Sequence, residues 1–183
     1  MSEVKYPKAV MVLHWFMFGL ISVGVALILI REIVEGKPLR TWMLNAHKVI
    51  GLLIPITLLI RIAVVTKYNK LLPVHPLNKL TKIAAKITHL ALYFALAAVP
   101  LLGWAHVNAK GQVASFLGII PLPSLVQEDI DLAEQLADWH EWLAYSLLAL
   151  VAAHVLAALW HHYFKKDSVL IAMAPIFNKK SKI

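Results

Sequence analysis

Four long apolar runs, at residues 9–30, 44–65, 87–107 and 139–164, set the limits on what this chain can fold into. The first holds 22 residues without Asp, Glu, Lys or Arg. A bilayer core takes roughly 20 apolar residues as helix, and a helix satisfies its own backbone groups where no water reaches. The expected fold is an all-α membrane protein: a bundle of four transmembrane helices, one domain over residues 1–183, with both termini on the cytoplasmic side. Composition agrees, at 60% hydrophobic and 15% charged residues with a mean hydropathy of +0.72, too apolar for a soluble domain. Pro55 and Pro100 fall inside runs two and three, where packing lets them kink a helix without ending it. The first run also outlasts the 7–15-residue core of a signal peptide, so a retained helix is expected.

Orientation follows from the cations. Lys5, Lys8, Lys67, Lys70, Lys79, Lys82, Lys86, Lys165, Lys166, Lys179, Lys180 and Lys182 all fall on one side of a four-pass chain. The opposite side carries Arg31, Lys37, Arg40, Lys48 and Lys110, with Glu32, Glu35, Glu128, Asp129, Asp131, Glu134, Asp138 and Glu141. An excess of lysine marks the cytoplasm. The net charge of +8 therefore reads as membrane orientation, with no nucleic-acid partner implied. The loop 108–138 is external. Leu125, Ile130, Ala133 and Leu136 are spaced in it like one face of a helix, so an amphipathic helix on the outer surface is expected over 125–137.

Ionisable residues inside a membrane are functional by default, and the chain keeps histidines along its spans. His14 lies in the first, toward the cytoplasm; His47 opens the second and His140 the fourth, both at the outer side. His154 follows His140 by fourteen residues, about 21 Å along a helix axis and on nearly the same face. One helix thus offers imidazoles at two depths, with His47 available to the outer and His14 to the inner. Facing helices of a bundle can supply both axial ligands of a macrocycle, and neutral imidazole is a good iron ligand. Two bis-histidine b-type haems are the reading this spacing favours, with a zinc or proton transporter as the alternative that needs no haem. The chain has no cysteine, which excludes thiolate zinc sites, iron–sulfur clusters and C-x-x-C-H haem attachment. His75, in "PVHPLNK", reads as part of a solvated turn, His106 as a structural residue at the outer end of helix three, and His162 as a head-group residue. The tryptophans, mostly near helix ends, read as an interfacial belt. Gly51 and Gly103 allow close approach of a porphyrin or of another helix.

Several pieces resemble, in order and spacing, the prokaryotic cytochrome b561 family of di-haem membrane cytochromes: "LHW" at 13–15, "NAHKVIG" at 45–51, "THLALY" at 88–93, "VPLLGW" at 99–104, "DWHEWLA" at 138–144, "AAHVLAALWHHYFKKDSVL" at 152–170 and "MAP" at 173–175. The resemblance spans nearly the whole chain. It implies His14 with His154 as ligands of an inner haem and His47 with His140 as ligands of an outer one, the pairing reached from depth. The family includes a superoxide oxidase that passes electrons to ubiquinone, and the cytochrome subunits of nickel–iron hydrogenases look like relatives.

Three further residues are candidates on this footing. His89, early in helix three, and His161, seven residues after His154, could contact a quinone or deliver its protons; their bland reading is hydrogen bonding to propionates or backbone. Arg61, near the inner end of helix two, would snorkel or pair with a haem propionate. The expected function is oxidoreductase activity in a bacterial inner membrane: a periplasmic donor, with superoxide as the family's example, reduces the outer haem, and the inner haem reduces ubiquinone. The alternative is a haem-carrying anchor subunit that relays electrons for a separate periplasmic dehydrogenase or hydrogenase, docked on 125–137.

Overall fold

Leu, Ile, Val and Ala cover the long helices on nearly every side, as they must where the surroundings are lipid rather than water. In the computed structural model, which describes residues 5–73 and 77–174, four helices are long and apolar enough to cross a membrane. They are α1 (Lys8–Ile33), α2 (Lys37–Lys67), α3 (Lys79–Ala109) and α4 (Ile130–Trp160), the last continued by a π turn at His161–Lys165. A short α5 (Val169–Met173) follows. His75 lies outside the described residues.

Each helix outruns the apolar run that announced it. Helices of 31 residues, such as α2 and α3, extend about 46 Å, against a hydrocarbon core of about 30 Å. The surplus turns carry Lys37, Lys67 and Lys79, whose charges reach water. Pro55 and Pro100 sit inside unbroken helices. Asn78 caps α3 by accepting from the Thr81 N–H at 2.8 Å. Asp129 caps α4 by accepting from Leu132 at 2.9 Å, and Asp131 adds a favourable negative charge in the first turn.

That cap explains a correction. The separate surface helix expected over 125–137 does not form, because residues 130–137 are the first turns of α4. Part of their apolar face is buried on α3, where Ala133 and Leu136 pack with Ala105 and Ala109, while Leu125 and Ile130 stay exposed. The rest of the loop folds back as a small antiparallel hairpin, β1 (Ser115–Phe116) with β2 (Ile120–Pro121). Buried Asn108 pins it, donating to the Gln112 carbonyl and accepting from the Leu125 N–H.

The bundle is built as two hairpins, α1 packed on α2 and α3 on α4, with α2 and α3 in lesser contact. Met17 and Ile21 of α1, Leu58 of α2, Ala95 and Leu96 of α3 and Leu147 of α4 meet in one buried cluster. Both chain ends emerge at the same end of the bundle. The Tyr6 N–H donates to the Ala172 carbonyl at 3.2 Å and the Trp15 indole to the Met173 carbonyl at 3.0 Å. This is the terminal end; the opposite one, with the β-hairpin, is the loop end.

Candidate haem sites

At the loop end, α2 presents His47 and α4 presents His140, with ring centres 6.2 Å apart. Each ring is aimed by a backbone carbonyl. His47 Nδ1–H donates to Gly24 of α1 and His140 Nδ1–H to Val99 of α3, both at 2.9 Å. A carbonyl only accepts, so Nδ1 carries the proton and Nε2 keeps its lone pair for a metal. The chain builds these contacts with glycine. A Cβ on Gly103, one turn after Val99, would lie 3.0 Å from His140 Cε1, so the missing side chain is what lets the ring reach across α3. A Cβ on Gly24 would meet Ile50 at 3.3 Å, which fixes how closely α1 can approach α2. Gly51 differs: no atom lies within 4 Å of its would-be Cβ.

Both imidazoles line a cavity of about 1230 Å³, whose other walls include Gly51, Trp104, Leu148 and hairpin residues such as Leu117. Typical small-molecule sites take roughly 300–1,000 Å³. Arg31, Lys48, Glu32 and Glu141 share the lining, and Arg31 is paired with Glu32 at 2.6 Å. The charges at this cavity therefore balance, without a positive funnel for a small anion.

At the terminal end, α1 presents His14 and α4 presents His154, again with ring centres 6.2 Å apart. His89 of α3 joins them, 5.4 Å from His154. Arg61 turns inward: its Nη2 lies 3.3 Å from His14 Nδ1, its guanidinium carbon 5.5 Å from the centre of the Tyr93 ring, and its Nε is buried with no partner among the described residues. Arginine only donates, so in this contact His14 Nδ1 accepts and the neutral ring holds its proton on Nε2. For Nε2 to bind a metal, Nδ1 must take the proton and Arg61 must turn to another acceptor, which a propionate would provide. Burial holds the Tyr6 phenol above its ordinary pKa, with the Arg61 charge pulling the other way, so Tyr6 is a neutral donor at this end.

His161 is not brought to the same cluster: among the described residues no ring contact joins it to His154 or His89. Its Nδ1 pairs with Asp167 Oδ2 at the π turn. Asp167 was missed in the sequence; six residues after a histidine, past a helix end, carries no periodicity. His106 Nδ1–H donates to the Ala133 carbonyl at 2.8 Å, a structural contact between α3 and α4. Trp15, Trp42, Trp139, Trp142 and Trp160 are exposed as a lipid-facing belt requires; Trp104 is the exception, turned into the cavity wall.

The donor set can be tested against haem by geometry. A metal gripped by two nitrogens about 2 Å away, each about 1.1 Å from its own ring centre, separates the centres by about 6 Å. Both pairs meet that distance. Among the described residues no three His, Cys, Asp or Glu side chains converge on one metal-ion position. Paired imidazoles suit an iron that brings its own equatorial nitrogens, and the open space at Gly51 suits a flat ring beside the helix.

Known proteins decide the family. The profile of prokaryotic cytochrome b561 matches residues 5–175. The chain belongs to the prokaryotic cytochrome b561 family. This cytochrome b561 is 29% identical over 172 residues to cytochrome b561 homolog 1 of Escherichia coli K12, covering 93% of this chain and 97% of that relative. It is 28% identical over 171 residues to the probable superoxide oxidase CybB of Yersinia pestis, covering 93% and 96%. Over 129 residues it is 33% identical to cytochrome b561 homolog 2 of E. coli K12, covering 69% and 68%. As a cytochrome b561 it is a multi-pass bacterial membrane protein of electron transport with b-type haem.

Proposed function

We propose that this cytochrome b561 carries electrons across a bacterial inner membrane through two b haems, one held by His47 and His140 and the other by His14 and His154, from a periplasmic donor to ubiquinone on the cytoplasmic side. The observation that carries the reading is the repeated 6.2 Å separation of ring centres at two levels of one bundle. When bound, b-type haem would supply one-electron exchange, with His47 and His140 or His14 and His154 as the residues that would hold its iron. The lysine-rich terminal end supports a cytoplasmic location for both termini. Superoxide as donor draws its support from the name of the Yersinia relative. The reaction then balances as two superoxide anions, one ubiquinone and two protons giving two dioxygen molecules and one ubiquinol.

The residues have separable tasks. Gly24 and Val99 carbonyls keep His47 and His140 in the tautomer that binds iron. Arg61 supplies a guanidinium for a propionate at the terminal level. His89 sits where an acceptor beside that level would be met. His161 is a proton carrier for the quinone, and Asp167 positions it by accepting from Nδ1, which leaves Nε2 facing away from the carboxylate.

A reduced-minus-oxidised spectrum of the purified protein, with haem counted per chain, tests the wiring: two b haems are expected, and a colourless or single-haem protein would falsify it. Anaerobic addition of superoxide to the oxidised protein with ubiquinone tests the donor. Reduction without any partner supports an oxidase in its own right; no reduction assigns the protein to the relay role, with a separate dehydrogenase or hydrogenase as donor.

A further inference from the structure

The loop-end cavity has two buried hydrogen-bond donors that, among the described residues, protein atoms leave unanswered. They are Nε of Arg31, near the end of α1, and Nε1 of Trp104, next to the glycine on which the His140 ring rests. Both residues line the cavity that His47 and His140 share. A buried donor without an acceptor costs about 1–3 kcal/mol, and an indole N–H nearly always finds a partner when buried. Two such costs at one cavity mark a place where an incoming group is expected to bring acceptors. One donor is cationic and both are fixed on helices, so the matching group carries carboxylates. Among the described residues the Arg31 side chain pairs with Glu32, at 2.6 Å from Nη1, which engages one corner of the fork and leaves the Nε side. The terminal level repeats the pattern, with Arg61 Nε buried and unanswered beside the other imidazole pair.

We propose that Arg31 and Trp104 hold the propionates of the haem seated between His47 and His140. The inference rests on that pair being iron ligands, and it adds the orientation of the ring: propionates toward α1 and the wall formed by α3, vinyl edge toward the bundle core. Each residue rotates slightly to meet its carboxylate, because both donor atoms are covered by protein.

The test uses the full-length protein and the variants Arg31→Gln, Arg31→Lys and Trp104→Phe. Haem per chain is counted first, and both midpoint potentials are then titrated between pH 6 and 8. Arg31→Gln removes a positive charge beside the iron, which favours the ferric form over the ferrous one because the ferric form carries one positive charge more, so one midpoint falls and the other stays. The freed propionate binds its proton more readily, so the pH dependence of that midpoint moves to higher pH. Transfer of this haem to apomyoglobin speeds up roughly ten-fold or more, the effect of one charge-assisted hydrogen bond. Arg31→Lys recovers most of the potential, and Trp104→Phe accelerates haem loss with a smaller shift. If haem is retained in Arg31→Gln and Trp104→Phe with unchanged midpoints, pH dependence and transfer rate, the propionates lie elsewhere. If Arg31→Gln fails to fold, Trp104→Phe decides by the transfer rate alone. Failure of the ligand assignment looks different: wild-type protein would then carry fewer than two haems, or His140→Ala would retain both.

Discussion

At the loop end both imidazoles donate to backbone carbonyls, whereas at the terminal end His14 meets a guanidinium and, among the described residues, no carbonyl bond holds either ring. The ring separations are equal, so the difference lies in electronics. A carbonyl accepting from Nδ1–H makes the imidazole a stronger donor to ferric iron. A cation close to the iron favours the ferrous state, which carries one positive charge fewer. Arginine stands at both levels, Arg31 at the loop end and Arg61 at the terminal end, so the carbonyl bonds decide the sign: under the proposed ligand pairing a haem at the loop end sits at the lower potential, one at the terminal end at the higher. In the proposed wiring, electrons entering from the periplasm would then run downhill toward the quinone side.

The largest effect that could break this comparison is loss of a ligand. His140→Ala should take the haem count from two to one and remove the lower of the two midpoints, together with electron entry from outside. His154→Ala should also leave one haem, and the surviving midpoint should be the lower one. If both variants keep the same midpoint, the two levels are not electronically distinct. Arg61→Gln sharpens the point, since it should lower the higher midpoint toward the other while both haems remain.

A second contrast is between binding electrons and supplying protons. His161→Ala and Asp167→Asn should each keep both haem spectra and slow steady-state ubiquinone reduction by about 10²-fold, the scale of a lost general acid. Reduction of the haems by an external donor should proceed as in the wild type. A missing haem band in His161→Ala would instead make that residue a ligand and undo the pairing of His14 with His154.

What the sequence disclosed, and what it withheld, follows from the period of each feature. The spans and the depth of His14, His47, His140 and His154 were legible because helical rise and the bilayer thickness turn residue numbers into positions. The expected helix over 125–137 was half right: Ala133 and Leu136 are buried on Ala105 and Ala109 of α3 as part of α4, while Leu125 and Ile130 are exposed. Periodicity reports that a face is apolar without saying what covers it. The carbonyl partners of His47 and His140, the hairpin over the cavity and the Asp167 contact were not legible, because each joins groups whose separation obeys no period. Arg31 was readable only as one external cation among five, and its place in the cavity wall depends on how α1 meets α3.

The smallest expected effects separate two glycines that the sequence treats alike. Gly103→Ala places a methyl 3.0 Å from His140 Cε1. The ring cannot retreat freely, being held by the Val99 carbonyl on one side and, in the proposed pairing, by iron on the other, so overpacking costs about 1–3 kcal/mol. Haem should be lost from the loop end roughly ten-fold faster, with the other haem unchanged. Gly51→Ala meets nothing within 4 Å in the protein, and replacing a helical glycine stabilises the haem-free chain by up to about 1 kcal/mol. Its methyl enters the cavity, however, where a porphyrin would lie. Thermal unfolding of the haem-free and haem-loaded forms should therefore diverge: Gly51→Ala more stable empty and less able to retain haem, Gly103→Ala weaker in both. Equal haem retention in Gly51→Ala and wild type would mean that the ring does not pass beside α2 at this turn, and would move the porphyrin plane toward α3.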